Sequence, residues 1–283
     1  MIINSPEDLV HSENRAVIIN YNTKLVSTLS LLAALKYTEM PVLLIDCEST
    51  DGSYLHFQAL LERHNFDLMT APLRNHGLTL DWLFPQINAD FVLLVDSDLE
   101  ILDNQIIEFF KRYTASSYVF GAGFTNGPGI LDAKEFEGTP IFNGLYFERP
   151  WMPLVYLKTS LILEALNNGL SFTEITCKRT SIFTRLWSRK TKLYSLKYHR
   201  QLLDQYNLIF YDTGAMIYDY LRYRKHYFFA SIPEPLHHLH TKHFFGTTRK
   251  VVSENDSNNG GGNMEIQEEV RLRLFEKYNY AEG

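Results

Sequence analysis

Cysteine is almost missing from this 283-residue chain: Cys47 and Cys177 are its only two. That excludes a disulfide framework and a cysteine-rich zinc site, and it fits a reducing, cytosolic setting. Both thiols read as small core residues rather than nucleophiles. No apolar run approaches the roughly 20 residues that a helix needs to cross a bilayer. Residues Met1 to Asn14 carry Glu7, Asp8 and Glu13, so the basic and apolar regions of a secretion signal are lacking too. There is no basic excess. Lys and Arg number 27 against 33 Asp and Glu, a formal net charge of −6, which speaks against a general nucleic-acid binder. No internal repeat is present. These absences leave an intracellular globular protein, long enough to bury a large core in one or two domains.

What the chain does have is apolar material in ordered blocks. Apolar residues make up 45% and charged residues 21%, ordinary for a soluble protein. Ala16 to Asn20, Val42 to Ile45, Asp67 to Thr70 and Phe91 to Val95 read as strands. Helical spacing covers Leu25 to Tyr37, Tyr54 to Arg63 with Ser53 as a cap, and Leu78 to Ile87. Such alternation indicates βαβ units and an α/β fold, with a mostly parallel central sheet flanked by helices.

After Leu102 the order loosens. A helix at Ile106 to Tyr113 and a strand at Tyr118 to Ala122 precede a stretch rich in Gly, Pro and Asn, Gly123 to Gly144, read as a long loop or irregular hairpin. A strand at Trp151 to Leu157 and a helix at Thr159 to Asn167 follow, with Arg179 to Arg189 and Tyr198 to Tyr206 as further helical candidates. Val251 to Asn263 has the composition of a linker, and Glu265 to Tyr278 reads as a charged C-terminal helix. The chain has 17 Tyr and 19 Phe, many of them after residue 140, which fits a dense core, sugar stacking or a membrane-surface patch.

The strongest single signal is Phe91-Val92-Leu93-Leu94-Val95-Asp96-Ser97-Asp98. An apolar run of this kind is a strand buried on both faces, and it ends in two carboxylates one residue apart. Buried carboxylates need their charge offset. At the carboxyl end of a central strand, where open α/β sheets bind ligands, a divalent cation is the usual offset, and oxygen ligands suit Mg²⁺ or Mn²⁺. The competing reading is a strand-to-helix turn in which Asp98 or Ser97 caps the next helix. The tripeptide alone does not separate the two.

Three more segments sit just beyond predicted strands in the same half. They are Tyr21-Asn22, Asp46 with Ser49-Thr50-Asp51-Gly52-Ser53, and Asn75-His76-Gly77. Their order and spacing, together with Asp96 and Asp98, resemble the inverting glycosyltransferases of GT-A fold, in the large family numbered two. The resemblance covers about residues 15–103. It implies a GT-A, Rossmann-like sheet and a nucleotide pocket bordered by Asn22, Asp46, Asp51, Arg74 and Asp96. Asp46 is implied to recognise the base, and Arg74 the base or the phosphates. Asp98, assisted by Asp96, is implied to coordinate Mn²⁺ or Mg²⁺ on the diphosphate. Cys47-Glu48 replaces the polar pair usual in that family, which leaves the nucleotide open.

The same resemblance extends thinly into the second half. Phe210-Tyr211-Asp212-Thr213-Gly214 is similar to the family's acidic element at the head of a helix, with Tyr211 in place of Glu. Asp212 is thereby the implied general base, deprotonating an acceptor hydroxyl opposite the departing diphosphate. Relatives with this fold often use a late His to complete the metal shell or to hold the diphosphate. Within His237-His238-Leu239-His240 and His243, His238 and His240 would share one face of a strand, and His240 is the preferred ligand. Lys242, Arg249 and Lys250 read as a solvated basic face or as phosphate contacts. Tyr146, Glu148 and Trp151 are weak candidates for an acceptor wall, in competition with aromatic core packing.

The expected organisation is a nucleotide-sugar-binding half at 1–113, an irregular acceptor-binding and catalytic half of the same domain at 114–250, a linker at 251–263 and a C-terminal helix at 264–283. The implied donor is a nucleoside diphosphate sugar, UDP-linked by default. The acceptor class stays open among a glycan, a lipid-linked glycan and a protein. No nucleic-acid partner is expected, and the aromatic and basic segments leave room for peripheral contact with the inner face of a membrane. Three competing readings are a retaining glycosyltransferase, a sugar-phosphate nucleotidyltransferase and a non-catalytic member of the fold. The nucleotidyltransferase would need a Gly-rich basic loop after the first strand, where Tyr21-Asn22-Thr23-Lys24 stands.

Overall fold

A computed structural model describes residues 1–127, 129–131, 144–146, 148–178, 208–244 and 261–281. Two compact units emerge. The first joins Met1–Leu73, Ile87–Arg112 and Pro233–Gly283, and the second joins Arg74–Gln86 and Tyr113–Ile232.

The first unit is a parallel α/β layer. Its strands are β1 (Ile2–Ile3), β2 (Ser12–Asn20), β3 (Val42–Asp46), β4 (Asp67–Thr70) and β5 (Ala89–Asp96), in the order β1-β4-β3-β2-β5. Every pairing among them is parallel. All of β3 is buried, as is the middle of β2 and of β5. This explains why they read as continuous apolar runs rather than alternating ones. Truncating such a residue, Leu43→Ala for example, costs about 2–5 kcal/mol.

Connections between β2, β3 and β4 run through α1 (Lys24–Tyr37) and α2 (Ser53–Leu60). Helix α1 is buried from Val26 through Ala34. It ends where Thr38 Oγ1 donates to Ala34 O, and Pro41 follows soon after. At the opposite edge of the sheet, fully buried Arg15 donates to Asp67 Oδ2 at 2.7 Å, tying the amino ends of β2 and β4 together. A short antiparallel ribbon completes this unit. It pairs β6 (Leu99–Ile101) with β14 (Thr241–His243), which follows the helical turn α7 (Glu234–His240). The C-terminal helix α8 (Gly261–Tyr278) packs Val270 and Leu274 against Val26, Leu29 and Leu32 of α1.

The second unit contains α3 (His76–Leu83), β7 (Val119–Asn126), β8 (Gly129–Leu131), β9 (Gly144–Tyr146), β10 (Arg149–Lys158), α5 (Thr159–Asn167), β11 (Ile175–Lys178), β12 (Leu208–Tyr211), α6 (Ala215–Asp219) and β13 (Phe228–Ser231). Helix α4 (Gln105–Thr114) leads into it. Strand β7 pairs antiparallel with β10 and parallel with β13, and a separate mixed sheet runs β11-β12-β9-β8. A π-helical turn at Tyr220–Arg224 extends α6.

Two local expectations shift. Helix α3 starts at His76 rather than at Leu78, because the Asn75 side chain accepts from Leu78 N and caps it. Ser53 is the first residue of α2 rather than its cap; Gly52 takes the cap position at φ +83°, a conformation that suits glycine. The helical candidates at Arg179 to Arg189 and Tyr198 to Tyr206 lie outside the described residues, as do Arg249, Lys250 and most of the expected linker.

Candidate metal centre

The carboxyl ends of the three central strands are level. Register pairs Asn20 of β2 with Asp46 of β3 on one side, and Ile19 of β2 with Asp96 of β5 on the other. Strands lie about 4.8 Å apart, so Asp46 and Asp96 rise from the same end of the sheet, roughly two strand spacings from each other. Asp46, Asp96 and Asp98 therefore belong to one region of the first unit.

At β2 and β3 the charge is held by neutral donors. Asp46 is only 2% exposed; its Oδ1 accepts from Asn20 Nδ2 at 2.7 Å and its Oδ2 from Ser49 N at 3.2 Å. Asn20 is the hub of this network, and sequence reasoning passed over it. Its Oδ1 accepts from Thr23 Oγ1 at 2.8 Å and Ser27 Oγ at 2.6 Å, and its Nδ2 also reaches Ser49 Oγ. Asn22 adopts φ +52°, and its side chain accepts from Thr50 N at 2.7 Å, holding the loop after β3. Asp51 organises two helix starts, accepting from Ser53 N and Oγ and from Lys24 N. Both Asn22 and Asp51 thus shape the loop through backbone contacts.

At the end of β5 the arrangement is different. Asp96, Asp98 and His243 bring one ligand atom each within 4.8 Å of one another. Asp98 is 6% exposed, and its Oδ1 lies 3.0 Å from His243 Nε2. The turn that presents Asp98 is pinned from two sides. Ser30 Oγ of α1 approaches Ser97 O and Leu99 O, and Leu99 N donates back to it. Phe244 N donates to Asp98 O at 2.8 Å. His243 arrives through the ribbon, where it stands opposite Leu99. Two carboxylates and an imidazole converging in a partly buried site fit a divalent cation, which removes the repulsion between like charges. Oxygen-dominated ligation of this type suits Mg²⁺ or Mn²⁺.

The histidine in this cluster is His243, not His240. The His238/His240 alternation suggested a strand, but Pro233, Glu234 and Pro235 start a helical turn that runs to His240. Within it His240 Nδ1 faces Asp103 Oδ2 at 2.7 Å, and its carbonyl accepts from Leu102 N. His237 is buried beside Thr241. Desolvation, with the charges of His238 and His243, pushes its pKa down to about 4, so it is neutral near pH 7. His238 is exposed next to Glu234.

In the second unit Arg74 lies 5.3 Å from the Trp82 ring centroid, and its buried Nη1 has no hydrogen-bond partner among the described residues. Asp212 follows β12, accepts from Thr213 N at 2.7 Å, and forms an ion pair with Arg149. Gly214 rather than Asp212 caps α6. Glu148 accepts from the Tyr223 hydroxyl at 2.9 Å, and its charge also acts on the Tyr218 phenol. Burial first, then the Glu148 charge, raises the pKa of both tyrosines, which stay protonated donors. Trp151 is 9% exposed and meets Phe124 edge-on at 6.5 Å, which places it in the packed interior of β10 rather than on an open wall. The Tyr146 side chain lies outside the described residues. Arg149, Tyr218 and Tyr223 were not singled out from sequence, since nothing local to them marks their long-range partners.

No family model matches the chain, and no curated protein matches it. Solved structures do. S. aureus TarS residues 1–349 in complex with UDP is 18% identical, with 93% of this chain and 72% of that one covered and a TM-score of 0.41. The mannosyltransferase PcManGT from Pyrobaculum calidifontis, in complex with GDP-Man and Mn²⁺, is 12% identical over 98% of this chain and 84% of that one, with a TM-score of 0.43. The 4-diphosphocytidyl-2C-methyl-D-erythritol synthase from Anaerococcus prevotii is 10% identical over 55% and 74%, with a TM-score of 0.39.

Proposed function

We propose that this chain is a metal-dependent glycosyltransferase of GT-A fold. It moves a sugar from a nucleoside diphosphate donor, UDP-linked by default, to an acceptor hydroxyl with inversion. The observation that carries this reading is the meeting of Asp96, Asp98 and His243 at a sheet end level with Asp46. The motif series from Tyr21 to Asp98 supports it independently. A nucleotidyltransferase is disfavoured by the loop after β2. Thr23 there bonds Asn20, which in turn bonds Asp46, where a phosphate-gripping loop would need Gly and basic residues.

In this scheme the first unit binds the donor. Asp46, oriented by Asn20 and Ser49, keeps lone pairs for a base or ribose donor. Asp98, Asp96 and His243 would hold Mn²⁺ or Mg²⁺, which neutralises negative charge building on the diphosphate as it leaves. The family resemblance also implies a base or phosphate contact for Arg74, whose buried Nη1 has no hydrogen-bond partner among the described residues. The second unit supplies the base: Asp212 takes the proton of the attacking hydroxyl, so Arg149 has to share that carboxylate during the reaction. Glu148, held by the Tyr223 phenol, accepts from acceptor hydroxyls.

A thermal-shift screen of UDP-, GDP- and dTDP-sugars with and without Mn²⁺ tests the donor reading, because a cognate ligand stabilises the folded form. A shift for one nucleotide that needs Mn²⁺ is expected. No shift with any donor and metal would leave a non-catalytic fold member as the better description. NMR of the product anomer then separates inversion from retention.

A further inference from the structure

We infer that the C-terminal helix α8 positions the metal centre, with Glu100 and Arg273 as the positioning residues. This rests on the cation reading given above. Glu100 lies in β6, two residues after Asp98, and its surface is 0% exposed. A carboxylate in that position is strongly unfavourable unless paired. Helix α8 supplies all of the pairing that the described residues show. Arg273 Nη1 donates to Glu100 Oε2 at 2.7 Å, Lys277 Nζ to Oε1 at 2.8 Å, and the Tyr278 hydroxyl to Oε1 at 3.2 Å.

The same helix grips the other strand of the ribbon. Arg273 Nε donates to Glu269 at 2.9 Å, and Glu269 also takes the ammonium of Lys242. Lys242 is the register partner of Glu100. Both metal-bearing strands are therefore held from one helix face, with the ligands at their ends. Asp98 directly precedes β6, and His243 stands opposite Leu99. Phe244, the next residue after His243, packs in the apolar cluster with Val270 and Leu274.

Glu100 can stay inside only while α8 is docked. Helix docking and the spacing of Asp98 and His243 are thus one coupled equilibrium, and such coupling is reciprocal. A cation drawn to Asp98 and His243 must tighten the docking of α8, and loosening α8 must weaken the cation. A helix serving only stability would change neither.

The test is Mn²⁺ binding to the full chain, followed by electron paramagnetic resonance, beside hydrogen exchange of the wild-type protein. Arg273→Met is expected to weaken Mn²⁺ by about tenfold and Arg273→Lys by less. Glu100→Gln combined with Arg273→Met should recover affinity to within about threefold of wild type, because both charges of the pair are then gone. Mn²⁺ should slow exchange of the α8 amides in the wild type, a readout that needs no variant to fold. Unchanged Mn²⁺ affinity in a folded Arg273→Met protein, or α8 exchange indifferent to Mn²⁺, overturns the inference while leaving the metal reading intact. A wild-type protein that binds no Mn²⁺ removes both.

Discussion

The candidate-site carboxylates Asp46 and Asp212, one in each unit, are compensated in opposite ways. In the first unit Asp46 is surrounded by neutral donors, the Asn20 amide and the Ser49 backbone, and Asp96 and Asp98 share their space with a histidine. In the second, Asp212 meets the Arg149 guanidinium. Neutral donors orient a carboxylate and leave its negative charge available to a cation or a base edge. A guanidinium cancels that charge and holds Asp212 in place. Asp46 thus keeps its negative charge for an outside donor, whereas that of Asp212 is already met within the protein.

The sharpest way to break this contrast is at Asp212. Asp212→Asn should leave Mn²⁺-dependent UDP affinity nearly intact while lowering transfer about 10²–10⁴-fold, the usual contribution of a general base. Steady-state kinetics beside calorimetry checks it, and wild-type turnover would remove Asp212 from the mechanism. Asp98→Asn should do the reverse. It removes one of three clustered ligands, so Mn²⁺-dependent UDP affinity should fall about 100-fold or more, a larger loss than the 10–100-fold that follows from disturbing a ligand's own partners. Equal calorimetric affinity in the variant contradicts the metal assignment.

Smaller effects sharpen the first side of the comparison. Asn20→Ala removes one hydrogen-bond partner each from Asp46, Thr23 and Ser27 in a buried setting, leaving Asp46 Oδ1 without its donor. The expected loss is about 3 kcal/mol in urea unfolding, since each unsatisfied buried group costs about 1–3 kcal/mol. Loss under about 0.5 kcal/mol, typical of surface sites, would show that the network does not hold the strand end.

The smallest effect concerns His237. Its pKa in the folded protein is depressed to about 4 from 6.5, so the unfolded chain binds the extra proton in between. Its contribution to stability is complete above about pH 6.5 and is lost as pH falls toward 4. Urea midpoints at pH 7.5 and pH 5 should therefore differ more in wild type than in His237→Gln. An identical pH slope in the two proteins would contradict the burial argument.

Much of the first unit was legible because its signals are local. The Phe91 to Asp98 run announces a buried strand that ends in acid, and Asp46 ends the next such run in the same way. Parallel pairing then brings those ends together without further information. Asn20 was hidden because an amide at a strand end looks ordinary until Thr23, Ser27 and Asp46 are seen around it. His243 was missed for a different reason. Its place depends on β14 pairing with β6 across more than a hundred residues, and the neighbouring His237-His238-Leu239-His240 alternation pointed to a strand that two prolines turn into a helix. The Arg149–Asp212 pair and the Tyr223–Glu148 bond join residues more than 60 positions apart, beyond the reach of any spacing rule.

The most direct measurement is the anomalous diffraction of Mn²⁺ in crystals grown with UDP. A single strong peak bound by Asp98 and His243, with Asp96 alongside and the diphosphate oxygens completing the shell, is the predicted result. UDP seated at Asp46 with no such peak, or manganese bound only elsewhere in the molecule, would contradict it.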